Sequence, residues 1–428
     1  MEKKPAVDGL LRFLQSSPTP FHAVAAAKTL LTDKGFQPLE EHASWNLKPG
    51  TGYFLDRGAS SLIAFRLGES PQRDGFRIAG AHTDSPCLKL KPHAAIEDRT
   101  SLRLGVEVYG SPLLATWFDR DLSLAGRVFY SDGKKAHSVL VDFARPVAVV
   151  PNLAIHLNRS ANENRTIQKQ TELPPLVALD AEEKDFDAAL MALVQSASGS
   201  QAKSILSHEL SFYDTQVPSV LGLNQEFIAS ARLDNLLSCY AGLMAIAQAK
   251  GTATSVVVLN DHEEVGSSSA VGAQGPFLRS VLERLCGANA EKLTRALSHS
   301  ILFSTDNAHG VHPAHPDKHD PQHRPLLNGG PAIKTNWSQR YATTAETAAF
   351  AIECFQAAGV KYQQFVSRND MPCGSTIGPI TASVLGIKTV DVGVPTFAMH
   401  SIRELAGTQD ALALEKTLVA AFQHPGWK

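Results

Sequence analysis

The sequence predicts an α/β protein, an α/β sandwich with a mostly parallel central sheet, interrupted by an inserted β-rich domain. Three observations carry this expectation. A chain of 428 residues exceeds one ordinary core, so two or three domains are expected. From residue 233 on, helical and strand patterns alternate across short loops, as in a parallel sheet covered by helices. Between about Pro92 and Phe227, by contrast, short β-type runs dominate. The expected division is 1–91 and 233–428 for the sandwich, with 92–232 as the insert.

The first element, "VDGLLRFLQSS", has helical spacing and stops at "SPTP", where two prolines cannot continue it. "FHAVAAAKTLLTDKG" is a second helix, closed by Gly35. "GYFLDRG", "SSLIAFRLG" and "GFRIAGAHTDSP" then read as strands punctuated by Gly, Ser and Pro. In the insert, "LRLGVEVYG", "GRVFYSDGKKAHSVLVDF" with a turn at Asp132-Gly133, and "PVAVVPNLAIHL" read as strands, and "LDAEEKDFDAALMALVQSAS" as a helix. The last part alternates helices ("LDNLLSCYAGLMAIAQAKG", "GPFLRSVLERLCG", "AETAAFAIECFQAAGV", "DALALEKTLVAAFQ") with strands ("TSVVVLND", "SILFSTDN", "KYQQFVS", "TVDVGVP"). "MPCGSTIGP" reads as a loop lining a pocket.

A net charge of -2 and a pI near 6.8 leave no electrostatic footprint for nucleic acid or an anionic membrane surface. No apolar run approaches the ~18 residues of a membrane span, and "MEKKPAVDGLLRFL" lacks the apolar segment and cleavage site of a secretory signal. A cytoplasmic protein is expected. The five cysteines are scattered and form no C-x-x-C, which suits reduced thiols.

In such sheets ligands bind beyond the carboxyl ends of the strands, so residues just after each apolar run are the informative ones. There the sequence places His82 and Asp84, Asp234 at a helix start, the adjacent Glu263 and Glu264, Asp306, and His400. Each has an ordinary alternative, since a lone Asp at a helix start is usually a cap. Taken together, imidazoles and carboxylates at equivalent positions fit a metal site better than a nucleophilic triad. His82, Asp306, Glu264, His400 and a bridging Asp234 match the scheme of a two-metal hydrolase. One carboxylate is left over for a general base, and Asp84 is placed to orient His82. The Gly/Ser-rich stretch 265–275 lacks the G-K-[ST] of a phosphate loop, and the histidine tract at 309–323 reads as an ordered loop.

"AHTDSP", "NLAIHLNR", "ARLDNL", "DHEEVGS", "STDNAHGVHP", "IKTNWSQRYAT", "DMPCGSTIGP" and "MHSIRE" resemble, in order and context, the M18 metalloaminopeptidases, the aspartyl aminopeptidase group. The resemblance spans nearly the whole chain. It implies a dizinc exopeptidase that removes an N-terminal residue, an acidic Asp or Glu, from peptides with a free N-terminus. Two divalent ions per subunit are implied, zinc in both sites or cobalt or manganese in one. His82, Asp234 and Asp306 correspond to the ligands of one ion, and Asp234, Glu264 and His400 to those of the other. Glu263 corresponds to the catalytic base and Asp84 to its orienting aspartate. His156 corresponds to a histidine that reaches a neighbouring subunit's active site, where it binds substrate or the oxyanion. The insert would be the dimerisation domain of a dimer-based homo-oligomer, a dodecamer. Lys334, Tyr341 and Met399 correspond to substrate-pocket positions, and a cation at Lys334 suits an acidic side chain. Alternatives are a preference for neutral N-terminal residues, a dizinc deacylase or carboxypeptidase, and a non-catalytic small-molecule-binding module.

Overall fold

The computed structural model describes residues 3–98, 100–180, 182–199 and 201–426. The chain forms two compact units. One comprises the chain up to Asp84, Pro218–Met399 and the stretch from Glu404; the other comprises Ser85–Val217 and His400–Arg403.

The first unit is built on a nine-stranded sheet. Its strands lie in the order Gln37–Pro38, Gly52–Arg57, Ser61–Arg66, Thr254–Asn260, Phe76–His82, Ile301–Thr305, Lys388–Gly393, Ala332–Thr335 and Gln363–Val366. The four from Thr254–Asn260 to Lys388–Gly393 run parallel, and an antiparallel strand flanks them on each side. Their side chains explain the burial on both faces. Val257 and Leu259 point into one helical layer with Leu237, Leu243 and Ile246, whereas Val256 and Val258 point into the other with Phe277, Val281 and Leu282. The apolar run "SVVVL" is continuous for that reason.

Helices Leu233–Gln248 and Asp410–Gln423 belong to the first layer, Phe277–Leu285 to the second. A helix at Ile377–Leu385 replaces the expected end of a loop. Thr376 caps it by accepting the Gly378 N–H, and Pro379 falls in the first turn, where a missing N–H costs no intrahelical bond.

A five-stranded sheet in the same unit joins Ser219–Leu221, Phe227–Ser230, Glu404–Gly407, Pro395–Phe397 and Ala308–His309. Residues 218–232 were expected within the insert, but Phe227–Ser230 pairs antiparallel with Glu404–Gly407 here. Ile228 and Ala406 are buried in the sandwich core, which fixes that placement.

The second unit carries a six-stranded antiparallel sheet in the order Ala136–Asp142, Leu122–Ser131, Ser204–Asp214, Cys87–Glu97, Ser101–Tyr109 and Leu176–Leu179. Cys87–Glu97 runs unbroken through residue 92, so the unit begins at Ser85 rather than at the expected boundary. Helix Glu183–Ala197 contributes Leu190 and Val194 to its core, beside Leu124, Leu210 and Phe212. The expected turn is present: Asp132 accepts the N–H groups of Lys134 and Lys135, and Gly133 adopts φ 90°. No helix among the described residues is long and apolar enough to cross a membrane.

Candidate metal centre

Parallel strands of equal register deliver their C-terminal residues to one edge of the sheet. Phe76–His82 ends in His82, Ile301–Thr305 is followed by Asp306, and Thr254–Asn260 leads into a single 3-10 turn, Glu263–Val265. Asp234 opens the Leu233–Gln248 helix with non-helical backbone, φ -82° and ψ 105°. These residues converge. His82 Nε2 lies 3.4 Å from Asp234 Oδ1, 3.6 Å from Asp306 Oδ1 and 4.0 Å from Glu263 Oε2. His82, Asp234 and Glu264 each offer a ligand atom within 4.8 Å of the others. The histidine tract at 309–323 supplies no such group among the described residues.

Asp84 stands behind the cluster and is 1% exposed. Its Oδ1 accepts the Glu263 N–H and its Oδ2 the Glu264 N–H, both at 3.1 Å. The same Oδ1 is 3.4 Å from His82 Nδ1. The imidazole Nδ1 makes its hydrogen bond to the Asp84 backbone carbonyl at 3.1 Å, while the Asp84 carboxylate pins the backbone of both glutamates. Charge on Asp84 also suits two N–H donors at the start of a turn.

The electrostatics of the cluster are unbalanced. Burial pushes the Glu263 carboxyl up to about 8, and neighbouring Asp306, Asp234 and Asp84 push in the same direction. Burial and the Asp234 charge hold Glu264 well above its ordinary value. Although burial opposes it, hydrogen bonding to Asp234, Asp306 and Asp84 raises the His82 imidazole well above its ordinary value. Asp306 goes the other way. Burial would raise it, but the Lys334 ammonium and His82 hold it below the usual carboxylate range. An excess of desolvated acids around one imidazole is an arrangement that a cation relieves.

Several supporting side chains were not singled out by the sequence. Asn235 is fully buried and donates from Nδ2 to Asp306 Oδ1 and to the Thr305 carbonyl, each at 3.0 Å. Glu404 Oε2 accepts the Asp234 N–H at 2.9 Å, and the Cys239 thiol donates to the His82 carbonyl at 2.9 Å. Asn235 sits next to Asp234 in "ARLDNL" and Glu404 ends "MHSIRE", so position within those motifs was the available signal.

Of the pocket positions, Lys334 is 1% exposed. Its Nζ donates to the Asn307 carbonyl at 3.2 Å, lies 3.8 Å from Asp306 Oδ2 and stands 4.9 Å from the centre of the Tyr341 ring. Tyr341 is buried, and burial raises its phenol above the ordinary value. Met399 is half-buried at the end of its stretch of the first unit. His400 and His156 belong to the second unit. There His400 Nδ1 lies 3.0 Å from the Ser111 carbonyl, and His156 is exposed in a turn.

The family model for the aminopeptidase I zinc metalloproteases, M18, matches residues 13–422. The chain belongs to the M18 family. M18 members are zinc metalloaminopeptidases, and this chain is accordingly a peptide hydrolase. It is 55% identical over 417 residues to a probable M18 family aminopeptidase 2 of Pseudomonas aeruginosa strain UCBPP-PA14, covering 97% of both chains. Another probable M18 family aminopeptidase 2, from Pseudomonas fluorescens, is 54% identical across the same share. Among solved structures, a chain of the Ape4 and Nbr1 complex superimposes with a TM-score of 0.94 at 37% identity, covering 98% of this chain and 86% of that one. The mApe1 dodecamer of S. cerevesiae gives 0.85 at 27% identity, covering 99% and 97%.

Proposed function

We propose that the chain hydrolyses the N-terminal residue of peptides at a dizinc centre and prefers an acidic residue there. The observation that carries this reading is the cluster itself, where four carboxylates face one imidazole and burial drives both glutamates towards protonation. Carboxylate and imidazole donors fit zinc, and also cobalt or manganese in one site. His82, Asp234 and Asp306 would hold one ion, and Asp234, Glu264 and His400 the other, His400 entering through the family resemblance. Bound zinc would supply a lowered water pKa, an anchor for the free amine and polarisation of the scissile carbonyl.

The chain's own residues do the rest. Glu263, unassigned as a ligand, takes the proton of the attacking water and returns it to the leaving amine. Asp84 holds that glutamate's backbone still while the proton moves. His156 of a neighbouring subunit donates a hydrogen bond to the developing oxyanion, so the second unit acts as the dimerisation domain. The S. cerevesiae mApe1 dodecamer supports assembly of the same kind here.

The acidic preference rests on Lys334. One observation favours a second reading, a neutral preference, because Lys334 is buried and already engages Asp306 and Asn307. A panel of X-Ala dipeptides, run beside a zinc assay, separates the two. Faster hydrolysis of Asp-Ala and Glu-Ala supports the first reading, and faster hydrolysis of Leu-Ala the second. Equal turnover of N-acylated peptides would point to a deacylase or carboxypeptidase instead, and a metal-free, inert protein to a binding module.

A further inference from the structure

The strand Lys388–Gly393 reads "KTVDVG", and its single acid, Asp391, is fully buried. A charge in that position needs donors from elsewhere in the chain. Two loops supply them. Asp391 Oδ2 accepts the Ala342 N–H and Oδ1 accepts the Thr376 hydroxyl, both at 2.6 Å, while its own N–H donates to Thr343 Oγ1 at 2.9 Å. Both oxygens accept, as those of an ionised carboxylate do. Burial raises this carboxyl, and the Lys334 charge and the Thr376 hydroxyl act against that rise. Lys334 is the direct partner of Asp391 in the antiparallel pairing of Ala332–Thr335 with Lys388–Gly393, so the two side chains share one face of the sheet. With Asp306 Oδ2 at 3.8 Å, the buried ammonium is shared between two acids.

The two loops bear on the residues that the reading above places around the substrate. Tyr341 precedes Ala342, and Cys373, three residues before Thr376, packs against the cluster of Ala308, Ala332, Tyr341 and Phe365. The Ser375 hydroxyl donates to the Arg340 carbonyl at 3.2 Å and ties one loop to the other. A Cβ at Gly378 would sit 2.5 Å from Asp391 Oδ1, so glycine there lets the start of helix Ile377–Leu385 close on the carboxylate. That end of a helix favours a negative charge. One carboxylate thus holds both loops and faces Lys334 along the sheet.

We propose that Asp391 is a positioning residue that sets the discrimination between acidic and neutral N-terminal residues, holding the Tyr341 and Cys373 loops in place and offsetting the charge of Lys334. The inference rests on the reading above, in which Lys334 and Tyr341 line the substrate pocket. Asp391→Asn separates charge from geometry, because asparagine can still accept the Ala342 N–H and donate to the Thr376 hydroxyl but carries no charge. The test measures Asp-Ala and Leu-Ala hydrolysis and zinc content in the full-length, zinc-loaded protein. In Asp391→Asn the ratio of kcat/KM for Asp-Ala to that for Leu-Ala should rise about tenfold, chiefly through KM for Asp-Ala, with zinc content as in the parent. Free aspartate should gain as a competitive inhibitor to a similar extent, and free leucine should not. Asp391→Ala strands the Ala342 N–H and the Thr376 hydroxyl and should lower kcat/KM for both dipeptides. Should Asp391→Asn fail to fold, Thr376→Val removes one of the two hydrogen bonds to the carboxylate and should raise KM for both dipeptides. The parent's own ratio decides the acidic preference, and the change in that ratio decides the role of Asp391. An unchanged ratio in folded, zinc-loaded Asp391→Asn, or parent-like KM values in Thr376→Val, would overturn the proposal.

Discussion

At the carboxyl ends of the central strands, Asp234, Glu263, Glu264 and Asp306 crowd around His82. At the amino ends of the same strands, Arg77 is buried and donates to the carbonyls of His424 and His299. One end crowds several acids into a dry site, and the other holds a single cation among carbonyl oxygens. Both sit on the same rigid scaffold, with apolar helices covering each face. The difference teaches that carbonyl oxygens of the chain can satisfy a buried guanidinium, whereas buried carboxylates crowded together raise one another's cost. A third place gives the contrast. Asp410 is fully buried too, but it accepts the Asn328 N–H at 2.5 Å and the Gly330 N–H at 2.9 Å, so it is stabilised from within the chain.

The largest expected effect comes from removing the acid shared by both proposed ions. Asp234→Ala should lose metal and lower kcat/KM by roughly 10⁴-fold or more, because the ions supply several kcal/mol to the transition state. Metal analysis and dipeptide hydrolysis read this directly. Normal zinc content with full activity would break the comparison at its acidic end.

Asp410 sharpens it through pH. Burial pushes its carboxyl up to about 6 despite the two N–H donors. Because the folded value is above the unfolded one, its contribution to stability is complete below about pH 4 and is lost as pH rises through 6. The span is on the order of 3 kcal/mol. Urea unfolding from pH 4 to 8 should show this loss in the parent, and Asp410→Asn should flatten it. An unchanged pH profile in the variant would mean that Asp410 is not the group titrating.

A smaller effect is expected at Asp84. Asparagine keeps one acceptor oxygen but turns an amide towards one of the two glutamate N–H groups. Asp84→Asn should therefore cost about 10- to 100-fold in metal affinity or activity, the usual range for a residue that orients ligands. Parent-like metal affinity and turnover would show that the glutamates hold their positions without it.

Much of the acidic end was legible in the sequence, because a parallel sheet brings its strand ends together and each of those ends carries an acid or a histidine. The continuous run "SVVVL" announced a strand buried on both faces. What was hidden depends on contacts distant in the chain. The Asp84 bond to Glu263 spans 179 residues, and the engagement of Lys334 with Asp306 lies between two separate strands. Helix Ile377–Leu385 was masked by the Gly378-Pro379 pair, which breaks a helix only beyond its first turn. Residues 227–230 looked like part of the insert because strand pattern alone carries no partner, and the partner, Glu404–Gly407, comes late in the chain.

The central claim is that Glu263 and Glu264 divide their labour, one as base and one as ligand. Zinc content and turnover measured together in Glu263→Gln test it most directly. About two zinc ions per chain should remain bound while kcat falls by roughly 10²- to 10⁴-fold. Loss of zinc along with activity, or turnover at the parent rate, would contradict it.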